Sequence, residues 1–162
     1  MISNERYTPL TDFMEMAIAE AQGARADGDY AVGSVIIKND KLVIASGNRT
    51  RRNQLATAHA EKIVIERASK LLGYRHLTDC VVYTTHEPCP MCAGAISMAQ
   101  IQFVVVGARL EDMKEYAIKN GNHNWRWRTI DIPASYVFKR SIPSPTLIPD
   151  FMREECLKLF HS

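Results

Sequence analysis

The sequence predicts an α/β protein, with helices layered around one sheet. Two observations carry this. Segments with apolar residues at helical spacing alternate along the chain with short runs rich in valine, isoleucine and tyrosine. The 162 residues, 46% hydrophobic and 23% charged, are also enough to bury a core within one domain.

The elements follow in order. From Thr11 to Ala26, apolar residues fall at Phe13, Met14, Ala17, Ile18 and Ala21, which is one helical face. Thr8-Pro9 or Thr11 starts this helix and Gly28-Asp29 ends it, with Arg25 and Asp27 as solvated surface. Val32 to Lys38 reads as a strand, Asn39-Asp40 as a turn, and Leu42 to Ser46 as the hairpin partner. Arg49, Arg51 and Arg52 cluster in the next loop and suit either a phosphate or plain solvation. A second helix runs from about Ala58 to Leu72, with Ile63, Val64 and Ala68 inward and Gly73 as its stop. Cys80 to Thr84 is a buried strand in which Cys80 is a small core residue. A third helix spans Pro90 to about Ala99, with Met91 and Met98 as core residues and Met91 also close enough to a metal at Cys89 and Cys92 to line it, and Gln102 to Gly107 is another strand. Further on, Arg109 to Tyr116 suits a surface helix, and Ser141 to Pro145 reads as a linker. Thr146 to Ile148 is a short final strand, and Asp150 to Phe160 a helix with Asp150 as N-cap and Cys156 against the body.

One pair of motifs carries chemistry. His59 and Glu61 stand in Thr57-Ala58-His59-Ala60-Glu61, and Cys89 and Cys92 stand in Glu87-Pro88-Cys89-Pro90-Met91-Cys92. Zinc takes thiolate and imidazole readily and prefers four tetrahedral ligands. His59, Cys89 and Cys92 would supply three, leaving a place for water that the metal acidifies. Glu61 is then the separate carboxylate that moves a proton. Cys89 and Cys92, three apart at a helix start, present both sulfurs on one side, and Pro90 fits the first helical position. The helix N-terminus favours thiolates. Positions i and i+2 lie about 200° apart on a regular helix. His59 and Glu61 therefore converge only at a fraying tip or across the water. A lone Cys-x-x-Cys also fits a redox pair or half a zinc finger. A rival ligand set closes the site with His86 and makes the metal structural.

His-x-Glu followed by Pro-Cys-x-x-Cys is the signature of zinc deaminases. From about Phe13 to Arg109 the sequence resembles the cytidine-deaminase-like zinc hydrolases. Within them it is most similar to the branch holding bacterial tRNA adenosine deaminases, guanine deaminases and fungal-type cytosine deaminases. The resemblance implies a three-layer α/β/α fold with a central mixed sheet of about five strands. It implies one Zn2+ per chain on His59, Cys89 and Cys92, with Glu61 catalytic and a homodimer as the assembly. It implies that Asn48, after Gly47, hydrogen-bonds the bound base, where the alternative is an asparagine in a turn. Ala60 joins Asn48 as a substrate-binding candidate. The chain departs from the branch at Ala31, where a proline is usual. It departs again after Gly107, where tRNA enzymes usually carry Asp-x-Lys-x-Gly-Ala and this chain has Arg109-Leu110-Glu111-Asp112-Met113-Lys114-Glu115-Tyr116. Here Asp112, Glu111 or Tyr116 could recognise an exocyclic amine.

Charge and composition narrow the partners. A net charge of +2 neither demands nor excludes nucleic acid. Four cysteines, two of them assigned to metal, fit a reducing cytoplasm rather than a disulfide framework. Signal-peptide and membrane-spanning patterns are missing, so a cytoplasmic enzyme is expected. One domain over 1–162 is expected, with a core of about 8–110 and a variable C-terminal segment, 111–162. In Asn120 to Arg128, basic and aromatic residues interleave, which suits a lid or subunit interface ahead of an RNA surface. His123 has no partner motif. The C-terminal segment is mixed in charge, where the tRNA enzymes usually end in a basic helix. The resulting expectation is hydrolytic deamination of a nucleobase or nucleoside, a free purine such as guanine ahead of cytosine. Adenosine-to-inosine deamination in tRNA is the alternative, and a zinc-stabilised RNA-binding module without catalysis is the non-enzyme reading.

Overall fold

A computed structural model describes residues 6–121 and 130–160. The elements are α1 (Thr11–Ala26), β1 (Gly33–Lys38), β2 (Lys41–Gly47), α2 (Ala60–Leu72), β3 (Cys80–His86), α3 (Pro90–Met98) and β4 (Phe103–Ala108). They continue as α4 (Leu110–Asn120), α5 (Ala134–Phe138), β5 (Thr146–Ile148) and α6 (Arg153–Leu157), with a 3-10 turn at Lys158–Phe160. Among the described residues five strands form one mixed sheet in the order β2-β1-β3-β4-β5. β1 runs antiparallel to β2 and β3, and β3, β4 and β5 run parallel.

Alternation along the strands builds the three layers. Successive side chains point to opposite faces. Ile36, Val82, Val104 and Val106 meet α2, α3 and α5 through Val64, Ile65, Ala68, Ala93, Ile96 and Phe138. Val35, Ile37, Val81, Tyr83 and Val105 meet α1, α4 and α6 through Phe13, Met14, Ala17, Met113 and Cys156. The strands carry apolar residues at consecutive positions because both faces are covered. The expected α/β/α architecture is therefore present.

Two glycines allow the layers to close. A Cβ on Gly33 would sit 1.9 Å from the Ala17 carbonyl oxygen and 2.6 Å from the Ala21 nitrogen, both backbone atoms of α1. A Cβ on Gly107 would sit 2.3 Å from the Cys156 sulfur. Backbone cannot yield as a side-chain tip can. Gly33→Ala is therefore expected to cost on the order of 3 kcal/mol, read as a lower denaturant midpoint at unchanged slope.

Several expectations are corrected. β3 extends to His86, because the pairing of His86 with Ala108 continues the parallel ladder. α2 starts at Ala60, and Ile65 is buried on it while Ile63 is only half-buried. Met98 is 82% exposed, not core. Arg25 is tied down, its guanidinium donating to the Leu159 carbonyl. The C-terminal helix is shorter than expected, and Asp150 does not cap it. Asp150 has φ 64° and pairs instead with the Arg109 guanidinium, while Met152 holds the N-cap position. The five-residue α5 is absent from the expected elements, being too short to show a periodic pattern.

Candidate active site

Two helix N-termini converge beside the ends of β1 and β3. His59 is the N-cap of α2, with extended backbone (φ −74°, ψ 147°). Cys89 is the N-cap of α3, also extended (φ −67°, ψ 167°), with Pro90 in the first turn. The helical clash between positions i and i+2 does not arise, because His59 lies outside the helix that carries Glu61. Both N-termini place positive dipole ends toward the ligands, which favours thiolate.

His59 Nδ1 lies 3.5 Å from the Cys89 sulfur and 3.6 Å from the Cys92 sulfur. Tetrahedral zinc with ordinary Zn–S and Zn–N bonds separates a sulfur and a nitrogen by about 3.6 Å. The three donor atoms all fall within 4.8 Å of one another, so the donor set fits a zinc ion in both chemistry and spacing. The neighbouring Cys92 thiol, and after it His59, hold the Cys89 pKa down to about 4 against the opposing effect of burial. His86 is not part of this group. It is buried, its Nδ1 lies 2.7 Å from the Thr85 hydroxyl, and burial pushes its pKa down to about 3. The rival set closed by His86 is not assembled.

Glu61 is 3% exposed, and burial raises its carboxyl above the usual range. It lines a cavity of about 410 Å3 together with His59, Cys89 and Asn48. That volume suits a small ring compound. Asn48 is buried, and its backbone N–H donates to the Val32 carbonyl at 2.8 Å. Ala60 is fully buried at the first position of α2, where its backbone N–H is one of the donors a helix start leaves without an intrahelical partner.

None of the amine-recognition candidates after Gly107 lines the cavity. Asp112 accepts from the Arg109 backbone N–H at 2.9 Å and from Arg153 Nε at 3.0 Å, closing α4 onto α6. Tyr116 packs on Phe160 with ring centroids 5.3 Å apart, and Glu111 is exposed. The arginine loop is partly built in: Arg51 lies over the Tyr30 ring, and Arg52 pairs with Asp27 at 2.7 Å. The stretch Asn122 to Thr129, with Trp125, Trp127 and His123, lies outside the described residues.

The cavity also recruits residues that sequence reasoning missed. Tyr30, Glu87, Met113 and Ile130 line it. Glu87 accepts from the Leu110 and Ala134 backbone N–H groups, both at 2.8 Å, and so ties α4 and α5 to the cysteine motif. Its place directly before Pro88-Cys89 was the available signal. Met113 reaches the cavity only because α4 folds back over it, and Ile130 had no sequence signal at all.

Comparison with known proteins now bears on this geometry. A tRNA-specific adenosine deaminase of Agrobacterium fabrum is 36% identical over 148 residues, covering 91% of this chain and 96% of its own. A guanine deaminase of Bacillus subtilis is 35% identical over 132 residues, covering 81% of each chain. A solved structure from work on A-to-I editing by tRNA:A34 deaminases superposes with TM-score 0.73 at 32% identity, covering 93% of this chain and 99% of that one. Residues 8–108 match the zinc-binding region of cytidine and deoxycytidylate deaminases. That span carries His59, Glu61, Cys89 and Cys92 and covers more than half of the sequence. The chain belongs to the cytidine and deoxycytidylate deaminase zinc-binding family.

Proposed function

We propose that the protein is a zinc-dependent hydrolytic deaminase whose substrate is adenosine in tRNA, with inosine and ammonia as products. The observation that carries the substrate is the A. fabrum relative, aligned over 91% of this chain and 96% of its own. The sequence alone ranks a free purine first. The tRNA reading moves ahead of it because relatives named for tRNA deamination recur among the best matches.

His59, Cys89 and Cys92 would hold the zinc. When bound, the ion supplies an acidified water and a positive charge beside the reacting carbon. Glu61 takes a proton from the attacking water and gives it to a ring nitrogen, then takes the remaining proton from the new hydroxyl on the ring carbon and delivers it to the amine, which leaves as ammonia as the carbonyl forms. Burial suits Glu61 to this work, because a raised carboxyl pKa lets one group both accept and donate. The apolar walls from Met91, Met113 and Ile130 exclude water around the ring.

Deamination of a free purine such as guanine is the second reading. One observation favours it: where tRNA enzymes usually carry Asp-x-Lys-x-Gly-Ala, this chain builds α4 and sends Met113 into the cavity. The B. subtilis guanine deaminase at 35% identity supports it too. Homodimerisation belongs to the same proposal. Met98 and Ile142 are exposed, each adjacent in sequence to a partner of the 2.8 Å Ser141–Ser97 hydroxyl bond, and they offer apolar surface for a second copy.

The test is to incubate zinc-loaded protein with a tRNA anticodon stem-loop bearing adenosine, and separately with guanine. Inosine formation that falls steeply with added salt is the expected result, since phosphate contacts release counterions. Guanine turnover with an inert stem-loop would replace the first reading by the second.

A further inference from the structure

Asp29 is a buried carboxylate that the chemistry above does not use. It is 1% exposed, on the loop between α1 and β1. Five donors converge on it. Asn48 Nδ2 donates to Oδ1 at 2.7 Å, the Tyr30 backbone N–H at 2.9 Å and the Thr50 hydroxyl at 3.1 Å. The Arg51 and Arg52 backbone N–H groups both donate to Oδ2 at 3.0 Å. A buried charge is tolerated only where such bonds replace water. Burial alone would raise this carboxyl, but the Arg52, Asn48, Tyr30 and Thr50 bonds outweigh it and hold it below the usual range.

The polarity of this network reaches the cavity. A side-chain amide has two N–H bonds and one carbonyl oxygen. Asn48 Nδ2 spends one N–H on Asp29 and the other on the Thr50 hydroxyl oxygen at 2.9 Å. The Thr50 hydroxyl can accept from Asn48 because its own hydrogen goes to Asp29. A carboxylate cannot donate, so the amide cannot be turned round without facing oxygen to oxygen. Asn48 lines the cavity with His59 and Glu61, and the atom left for a ligand is Oδ1.

We propose that Asp29 is a positioning residue that locks the Asn48 amide with its oxygen toward the substrate, so that the group recognised there is a hydrogen-bond donor. Such a donor is an amino group, a ring N–H or a ribose hydroxyl, and not a bare ring nitrogen. This rests on the deaminase reading of the cavity.

The test exchanges the two side chains. Asp29→Asn lets the amide turn and is expected to lower kcat/KM about tenfold, mostly through KM. Asn48→Asp alone sets two carboxylates against each other and is expected to lose more. In the double variant D29N/N48D, the amide now at position 29 donates to the carboxylate now at position 48, but its nitrogen also meets the Tyr30 N–H that Oδ1 accepted, so the swap restores the pair between 29 and 48 and not the whole network. The kcat/KM of the double variant is expected to stand at least about tenfold above that of Asn48→Asp alone, a non-additive result, since two independent losses would place it below. Zinc content and melting temperature are followed in each variant. A double variant no better than Asn48→Asp, with zinc bound and melting unchanged, overturns the proposal. A substrate-free arm separates this from failure of the functional reading. The Asn48 side-chain amide protons, followed by NMR, are expected to exchange slowly in the parent and rapidly in Asp29→Ala. Equal exchange in both overturns the lock, whatever the enzyme acts on.

Discussion

Glu61→Gln is expected to bind zinc as the parent does and to lose turnover by a factor of about 100 to 10,000, the range general acid–base catalysis usually contributes. The substitution keeps the shape of a side chain that is 3% exposed, so packing is retained. What it removes is the ability to take and return a proton. Glu61 is not a member of the His59, Cys89 and Cys92 group, so metal content should be untouched. Zinc per chain and kcat, measured on the same preparation, check both halves. Near-parental turnover would remove Glu61 from its assigned role.

Cys89→Ala is expected to lose both zinc and stability. Cys89 is the N-cap of α3, and its sulfur lies 3.5 Å from His59 on α2, so the metal would clip two helix starts together. An ion that binds the folded chain and not the unfolded one stabilises by mass action, about 4 kcal/mol when its free concentration is 1,000 times Kd. The variant should therefore melt lower than the parent with zinc and no longer respond to added zinc. Melting curves with and without a chelator make the comparison. A variant that still binds one zinc and melts with the parent would place the metal elsewhere.

What the sequence discloses depends on how local the signal is. The group of His59, Cys89 and Cys92 was legible because Cys89 and Cys92 stand three apart at the start of α3 and His59 immediately precedes α2. β1 and β2 were legible from the apolar runs on either side of Asn39-Asp40, both of which take positive φ in the turn. The cavity walls were not legible. Met113 and Ile130 arrive from segments whose placement depends on the Glu87 carboxylate bonding two distant backbone N–H groups. Asp29 read as a helix terminator, although its partners, from Asn48 to Arg52, lie about twenty residues on. Asp150 read as an N-cap by type, but its ion pair with Arg109 and the left-handed Met152 move the helix start. Long-range pairing of polar groups, rather than local propensity, decided each of these cases.

Ammonia release by zinc-loaded protein tests the deaminase assignment most directly. The panel is an adenosine-bearing tRNA stem-loop, guanine, cytosine, adenine and their nucleosides, each beside Glu61→Gln and a chelated control. Release from at least one substrate, lost in both controls, is the expected result. Silence across the panel with zinc bound, or equal release by Glu61→Gln, would contradict it.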